Sequence, residues 1–212
     1  MGKTALVVGS TGLVGEQLVL QLLEHTDYEK VRIFTRRKTN FDHQKLEEYI
    51  VDFDHPENWA ELVKGDVLFS TLGTTIKTAK TKENQYRVDF TYQYEFAQAA
   101  SFNEVPVYIL VSSLGANAKS AVFYSRMKGE LDEAVAKLAF QKIVIFRPSI
   151  LNGRRKEKRL AEKFSLLIMR QLSKVVMKNY RPTPVGLLAA RMISESLNSK
   201  PKFTIIEGLD IF

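Results

Sequence analysis

A chain of 212 residues, 45% hydrophobic and 26% charged, is long enough to bury one sizeable core and has the balance of an ordinary globular domain. It contains no cysteine, which excludes disulfides, thiolate nucleophiles and thiolate metal sites. The formal charge of +7 is dispersed except around 36–38 and 154–163, and no nucleic-acid-binding motif accompanies it, so a solvated surface or small anionic ligands are expected rather than nucleic acid. His25, His43 and His55 show no metal-ligand spacing, and no metal is expected. No signal-peptide cleavage region follows the first apolar run, no apolar run approaches a membrane span, and a cytoplasmic location is expected.

In chain order, "TALVVGS" (4–10) is a short apolar run ending in glycine, and "GEQLVLQLLEH" after it is amphipathic. The pair predicts a buried strand, a tight turn and a helix. "KVRIFTRR" (30–37) and "LEEYIVDF" (46–53) predict the second and third strands, and "HPENWAELVKG" (55–65) a short helix closed by Gly65. "DVLFSTLG" (66–73) predicts a fourth strand running into the polar loop "TTIKTAKTKEN", and a long helix is expected over 83–103. "VPVYILVSS" (105–113) predicts the fifth strand, followed by a helix carrying Tyr124. "KIVIFRPS" (142–149) and "KFTIIEG" (202–208) complete the set.

Strands apolar on both faces, alternating with helices, imply a parallel sheet covered on both sides. The predicted fold is a Rossmann-type doubly wound α/β domain, one domain over 1–212, in which 150–200 break the alternation and form a small C-terminal cap on the substrate side.

"VVGSTGLVGEQL" places Gly9, Gly12 and Gly15 between the first strand and the first helix. Glycines there permit a tight turn and let backbone N–H groups approach a pyrophosphate at the positive helix end. After the second strand, where NAD-preferring sites carry Asp or Glu for the ribose hydroxyls, this chain has "FTRRK". Arg36 and Arg37 suit a 2′-phosphate, which favours NADP(H) over NAD(H). Asp52 either touches the adenine edge or caps the helix after it. Leu72 and Gly73 in "STLGTT" end the fourth strand beside the expected cleft, and Gly73 permits close backbone approach.

In an open parallel sheet, ligands gather beyond the C-terminal strand ends, and "YILVSS" delivers Ser112 and Ser113 to that edge. Tyr124 and Lys128 follow on "FYSRMKGELDEA", four residues apart and therefore on one helix face. A serine hydroxyl, Ser112 or Ser113, a Tyr hydroxyl and a Lys ammonium can then converge. Free tyrosine, with a pKa of about 10, is a poor acid or base at neutral pH; a neighbouring Lys⁺ is expected to lower that value.

The pieces "GSTGLVG", "TRRKTNFD", "VDF", "STLGTT", "RVD", "LVSSLGA", "YSRMKGELDEAV" and "FRPSIL" occur in order across most of the chain. Together they resemble the short-chain dehydrogenase/reductase superfamily, in particular its atypical, Tat-interacting-protein type of NADPH-binding oxidoreductases. The resemblance weakens after about residue 155. It implies cofactor contacts at Thr11, Gly12, Leu13 and Val14, at Arg36 and Arg37, at Leu72 and Gly73, at Tyr124 and Lys128, and at Leu151; of the two serines, Ser113 is taken as the catalytic candidate, with Ser112 the alternative. Arg159 is also implied, although "GRRKEKR" offers other cations beside it. Many members of the superfamily place an Asn on the helix after the fourth strand to support a proton relay; here Asn84 and Asn103 lie near that helix, neither in a recognisable motif.

"FSLLIMRQLSKVVMKNYRP" (164–182) carries an apolar stripe expected to pack over the cleft or against a second subunit or protein partner rather than on a membrane surface. The aromatics of "YRVDFTYQYEF" (86–96) are expected in the core and on helix faces. The reading is an NADP(H)-dependent oxidoreductase moving hydride to or from a carbonyl or alcohol of a small-molecule substrate, with Tyr124 as acid/base. The alternative from another class is an NADP(H)-binding sensor or assembly protein without turnover.

Overall fold

Consecutive residues in the central strands are largely apolar, and the structure shows where both sets of side chains go. The protein is described by a computed structural model covering residues 2–153, 181–198 and 202–212. Its strands are β1 (Lys3–Val8), β2 (Tyr28–Thr35), β3 (Leu46–Ile50), β4 (Val67–Ser70), β5 (Val107–Val111), β6 (Lys142–Arg147), the short β7 (Leu151–Asn152) and β8 (Thr183–Pro184), and β9 (Phe203–Glu207). Its helices are α1 (Leu13–Glu24), α2 (Ile76–Ala79), α3 (Lys82–Tyr86), α4 (Tyr92–Phe102), α5 (Phe123–Val135) and α6 (Val185–Leu197). Among the described residues, no helix is long and apolar enough to cross a membrane.

Seven strands form one sheet in the order β3-β2-β1-β4-β5-β6-β9, with every neighbouring pair parallel. Because side chains alternate along a strand, Ala5 and Val7 of β1, Val67 and Phe69 of β4, and Val144 and Phe146 of β6 enter one core with α1 and α6. Leu6 and Val8, Leu68, and Ile143 and Ile145 enter the other, with α4 and α5. Each such fully buried side chain contributes roughly 1.5–3 kcal/mol, so two-sided burial is what fixes the register and the direction of the strands. The doubly wound expectation holds. Of the stretch expected to form a cap, Val185–Leu197 is instead a helix of the main layer, burying Val185, Leu188, Ala189, Met192 and Ile193 beside α1. Residues 154–180, with Arg154–Arg159 and nearly all of the apolar stripe over 164–182, lie outside the described residues.

Two helix expectations change. The segment 55–65 forms two separate 3₁₀ turns, Pro56–Asn58 and Ala60–Leu62, meeting at Trp59, whose backbone is not helical. Trp59 is anchored from outside the segment: its ring stacks on Phe96 at 3.9 Å and its indole N–H donates to the Asp52 carbonyl at 2.9 Å. A tertiary anchor of that size outweighs the weak propensity of so short a helix. Gly65 closes no helix. The region 74–103 is not one loop and one helix but α2 and α3, N-capped by Thr75 and Thr81, then a π-helical stretch over Arg87–Thr91, and α4. Such π segments are frequent at functional sites, and this one carries the buried Asp89.

The loop over 114–120 lies directly against α5: a Cβ on Gly129 would stand 2.1 Å from the Ala118 nitrogen, and the Asn117 N–H bonds the Ser125 carbonyl at 2.9 Å. Gly129→Ala must push this loop off the helix. A loss of about 1–3 kcal/mol in chemical denaturation is expected, and an unchanged midpoint would show that the loop moves freely.

Candidate functional site

The turn after β1 is closed by contacts that only glycine allows. Gly9 has φ of 88°, and a Cβ there would meet the Thr71 carbonyl carbon and the Leu72 nitrogen at 2.6 Å; a Cβ on Gly15 would stand 2.1 Å from the Gly9 carbonyl oxygen. The Gly12 N–H donates to that oxygen at 2.9 Å, and Thr71 is tied to the Val8 carbonyl through its N–H and its hydroxyl, each at 2.9 Å. The ends of β1 and β4 are thereby locked together where the strand order reverses, the place at which such sheets open to ligands. Helix α1 begins at Gly12 with no side-chain cap, so the N–H groups of Leu13, Val14 and Gly15 have no intrahelical acceptor and sit at the positive end of the helix. Ser10 Oγ is buried with no partner among the described residues, and Thr11 is exposed at the tip of the turn. Val14 is a core side chain, so it presents only its backbone. An uncapped helix end, an orphaned hydroxyl and a turn closed by glycines fit a dinucleotide pyrophosphate.

Arg36 and Arg37 follow β2 at the same sheet edge, both exposed and without an ion-pair partner among the described residues. Their turn is held by Thr35 Oγ1, which donates to the Arg37 carbonyl at 2.8 Å. Asp52 does not cap a helix: its Oδ1 accepts the Asp54 N–H at 3.1 Å, and the 3₁₀ turn that follows starts after His55 without a side-chain cap. Leu72 packs on the α4–α5 core, and Gly73 is exposed beside it. Leu151 packs in the α1 core with Leu13, and Gly153 abuts Leu13 closely enough that a Cβ would lie 2.8 Å from it.

The two serines after β5 face different ways. Ser112 is buried, faces Asp132 in the interior and donates its N–H to the Phe146 carbonyl at 2.7 Å. Ser113 instead bears on the Tyr124 phenol and draws its proton affinity down, while its Oγ donates to the Leu114 carbonyl at 3.4 Å. Tyr124 is partly exposed in the first turn of α5, and Lys128, one turn on, is 3% exposed. The structure thus brings Ser113, Tyr124 and Lys128 together.

A fourth member was not identified from sequence. Asp89, 1% exposed, stands with Oδ1 3.0 Å from Lys128 Nζ, while Oδ2 accepts the Thr74 N–H at 2.8 Å. Its carbonyl accepts from Gln93 Nε2 at 2.7 Å, and Gln93 Oε1 accepts from Ser70 Oγ at 2.8 Å. Gln85, Asp89 and Gln93 form a buried polar stripe at four-residue spacing, and that stripe among aromatic neighbours was the signal available in the sequence. The two asparagines are placed elsewhere. Asn84 is exposed and bonds the Ala79 carbonyl, and Asn103 ends α4 bonded to the Ala60 and Val63 carbonyls.

Burial reverses the expected direction of the tyrosine shift, and Asp89 adds to it. Burial pushes the Tyr124 phenol above its ordinary value; Lys128 and Ser113 pull it down, Asp89 pushes it up, and the balance is upward. Burial opposes charge on Lys128, yet Asp89 and Tyr124 outweigh it and the ammonium is held. Burial also pushes the Asp89 carboxyl above its ordinary value, against Lys128 and the Thr74 N–H, which draw it down. The arrangement is a protonated phenol beside the Asp89–Lys128 pair, a proton donor rather than a base.

Residues 9–161 match the NAD(P)H-binding family. The chain is 36% identical over 156 residues to Protein FMP52, mitochondrial, of Candida albicans, covering 71% of this chain and 68% of that protein. It is 33% identical over 190 residues to Protein FMP52-1, mitochondrial, of Scheffersomyces stipitis, covering 87% and 80%. The mitochondrial names of these relatives overturn the cytoplasmic expectation, which rested on composition and on the lack of a recognisable leader, neither of which reports a compartment. Among solved structures the fold is similar to MoeE5 in complex with UDP-glucose and NAD, with a TM-score of 0.73 at 14% identity over 96% of this chain and 75% of that one. It is also similar to a short-chain dehydrogenase/reductase superfamily protein from Agrobacterium tumefaciens with bound NAD, with a TM-score of 0.71 at 16% identity over 96% and 76%. Built on the fold of the short-chain dehydrogenases and epimerases, and matched over most of its length, the chain belongs to the NAD(P)H-binding family.

Proposed function

We propose that this protein is an NADP(H)-dependent oxidoreductase acting on a carbonyl or alcohol, working in mitochondria as its relatives' names indicate. The observation that carries the reading is the convergence of Ser113, Tyr124 and Lys128 at the sheet edge that holds the uncapped glycine turn. The backbone N–H groups of Leu13, Val14 and Gly15 take the pyrophosphate, with Gly9, Thr11 and Gly12 shaping the turn around it. Arg36 and Arg37, unpaired among the described residues, take the 2′-phosphate; Asp52 lies toward the adenine, and Leu72, Gly73 and Leu151 line the remaining walls.

A bound nicotinamide dinucleotide supplies or accepts the hydride. In reduction, hydride adds to the carbonyl carbon while the Tyr124 phenolic proton passes to the carbonyl oxygen, giving the alcohol. Ser113 donates to the same oxygen and holds it against Tyr124. Lys128 stabilises the phenolate left behind, and the reverse sequence oxidises the alcohol.

Thermal denaturation with each dinucleotide tests the cofactor. NADPH is expected to raise the midpoint more than NADH, with stabilisation approaching about 2.7 kcal/mol at a hundredfold excess over Kd, and Arg36→Ala/Arg37→Ala is expected to erase the difference. Equal shifts in the unmodified protein would remove the 2′-phosphate role.

Hydride transfer from NADPH across a broad carbonyl panel tests the reaction. Tyr124→Phe is expected to lose on the order of 10²–10⁴-fold in turnover while keeping its stabilisation by NADPH. Equal turnover in the variant would remove Tyr124 from the chemistry. Tight NADPH binding with no hydride transfer to any member of the panel would point to a sensor or assembly role.

A further inference from the structure

A buried lysine one helical turn from a partly exposed tyrosine would by itself draw the phenol toward its anion. In this protein the lysine is not alone. Asp89 reaches it from the π-helical stretch before α4, and the same carboxylate is held on its other oxygen by the Thr74 N–H. Thr74 is fixed at its carbonyl as well, where Gln85 Nε2 donates at 3.4 Å. The loop carrying Leu72, Gly73 and Thr74 after β4, the helix carrying the tyrosine and the segment before α4 therefore meet at one carboxylate.

We infer that Asp89 is a positioning residue of this site, which cancels the Lys128 charge beside Tyr124 and anchors the ammonium to the loop after β4. Among the described residues the charged groups bearing on the pair are few. Asp89 acts on both members, and Asp132, on the same helix, adds a weaker pull on Lys128 while engaged with Arg147 at 3.0 Å. With Asp89 ionised the ion pair carries no net charge, and the phenol keeps its proton. Asparagine in its place would offer one oxygen to two donors and no negative charge, leaving the Lys128 cation to act on Tyr124 unopposed. The consequence for turnover rests on the proposed role of Tyr124 as proton donor; the electrostatics do not.

The test reads the tyrosine directly. The full chain, without cofactor, is labelled with carbon-13 at tyrosine Cζ and titrated by NMR, the Tyr124 signal being the one missing from Tyr124→Phe. Asp89→Asn is expected to move its midpoint to lower pH, Lys128→Met to higher pH, and the double variant to fall between the two. In turnover, reduction needs the protonated phenol, so the alkaline loss of activity is expected to begin at lower pH in Asp89→Asn. A folded Asp89→Asn with an unmoved Tyr124 midpoint overturns the inference. If Asp89→Asn does not fold, the double variant set against Lys128→Met decides, because equal midpoints in those two show that Asp89 exerts no charge on the tyrosine. Midpoints that move as expected in a protein reducing no carbonyl would leave the inference standing and remove the oxidoreductase reading instead.

Discussion

The central strands of the main sheet are apolar on both faces, and covering both faces of a parallel sheet with the connecting helices leaves only the strand ends for chemistry. This constraint places Gly9, Arg36, Leu72 and Ser113 on one edge, though they come from four separate strands. It also explains why the locking of β1 to β4 matters beyond its own hydrogen bonds. The Gly9–Thr71 contact is the seam at which the chain reverses its order across the sheet. A side chain at either glycine of the turn would part the two strands and open the cradle.

Charge within the site is arranged against the cost of burial. A lone ammonium as enclosed as Lys128 would be expensive, and the Asp89 carboxylate makes it tolerable while limiting how far it can polarise Tyr124. The neighbouring interior uses the same device for a different end. Asp132 and Arg147 pair at 3.0 Å between α5 and the end of β6, and Ser112 turns toward that pair rather than toward the site. Two serines in succession thus serve two networks, one behind the helix and one in front of it.

Much of this was legible in the residues. The strands were found because β-branched and aromatic runs such as "ALVV" and "KIVIF" leave no polar face, and the glycine turn because its spacing sits between a strand and a helix. Tyr124 and Lys128 were found because four-residue spacing on a helix is local geometry. What could not be read depends on contacts from distant parts of the chain. Trp59 splits its helix because Phe96 receives its ring, and the long helix after β4 changes register where Asp89 turns inward. The expected fall in the tyrosine's proton affinity followed from Lys128, which is near in sequence. Burial of the phenol, which depends on the tertiary fold, reverses the sign, and the opposing carboxylate from another element adds to it.

Helix α1 starts at a glycine where a serine, threonine or aspartate would have supplied its own acceptor and added about a few tenths of a kcal/mol to the helix. That local stability is forgone. A built-in oxygen would occupy the space in front of the first turn and satisfy the very donors that an incoming phosphate needs. The helix is in this sense finished by its ligand. Its weakest end is its most receptive, and a substitution chosen only to make the protein sturdier would close the doorway at the same stroke.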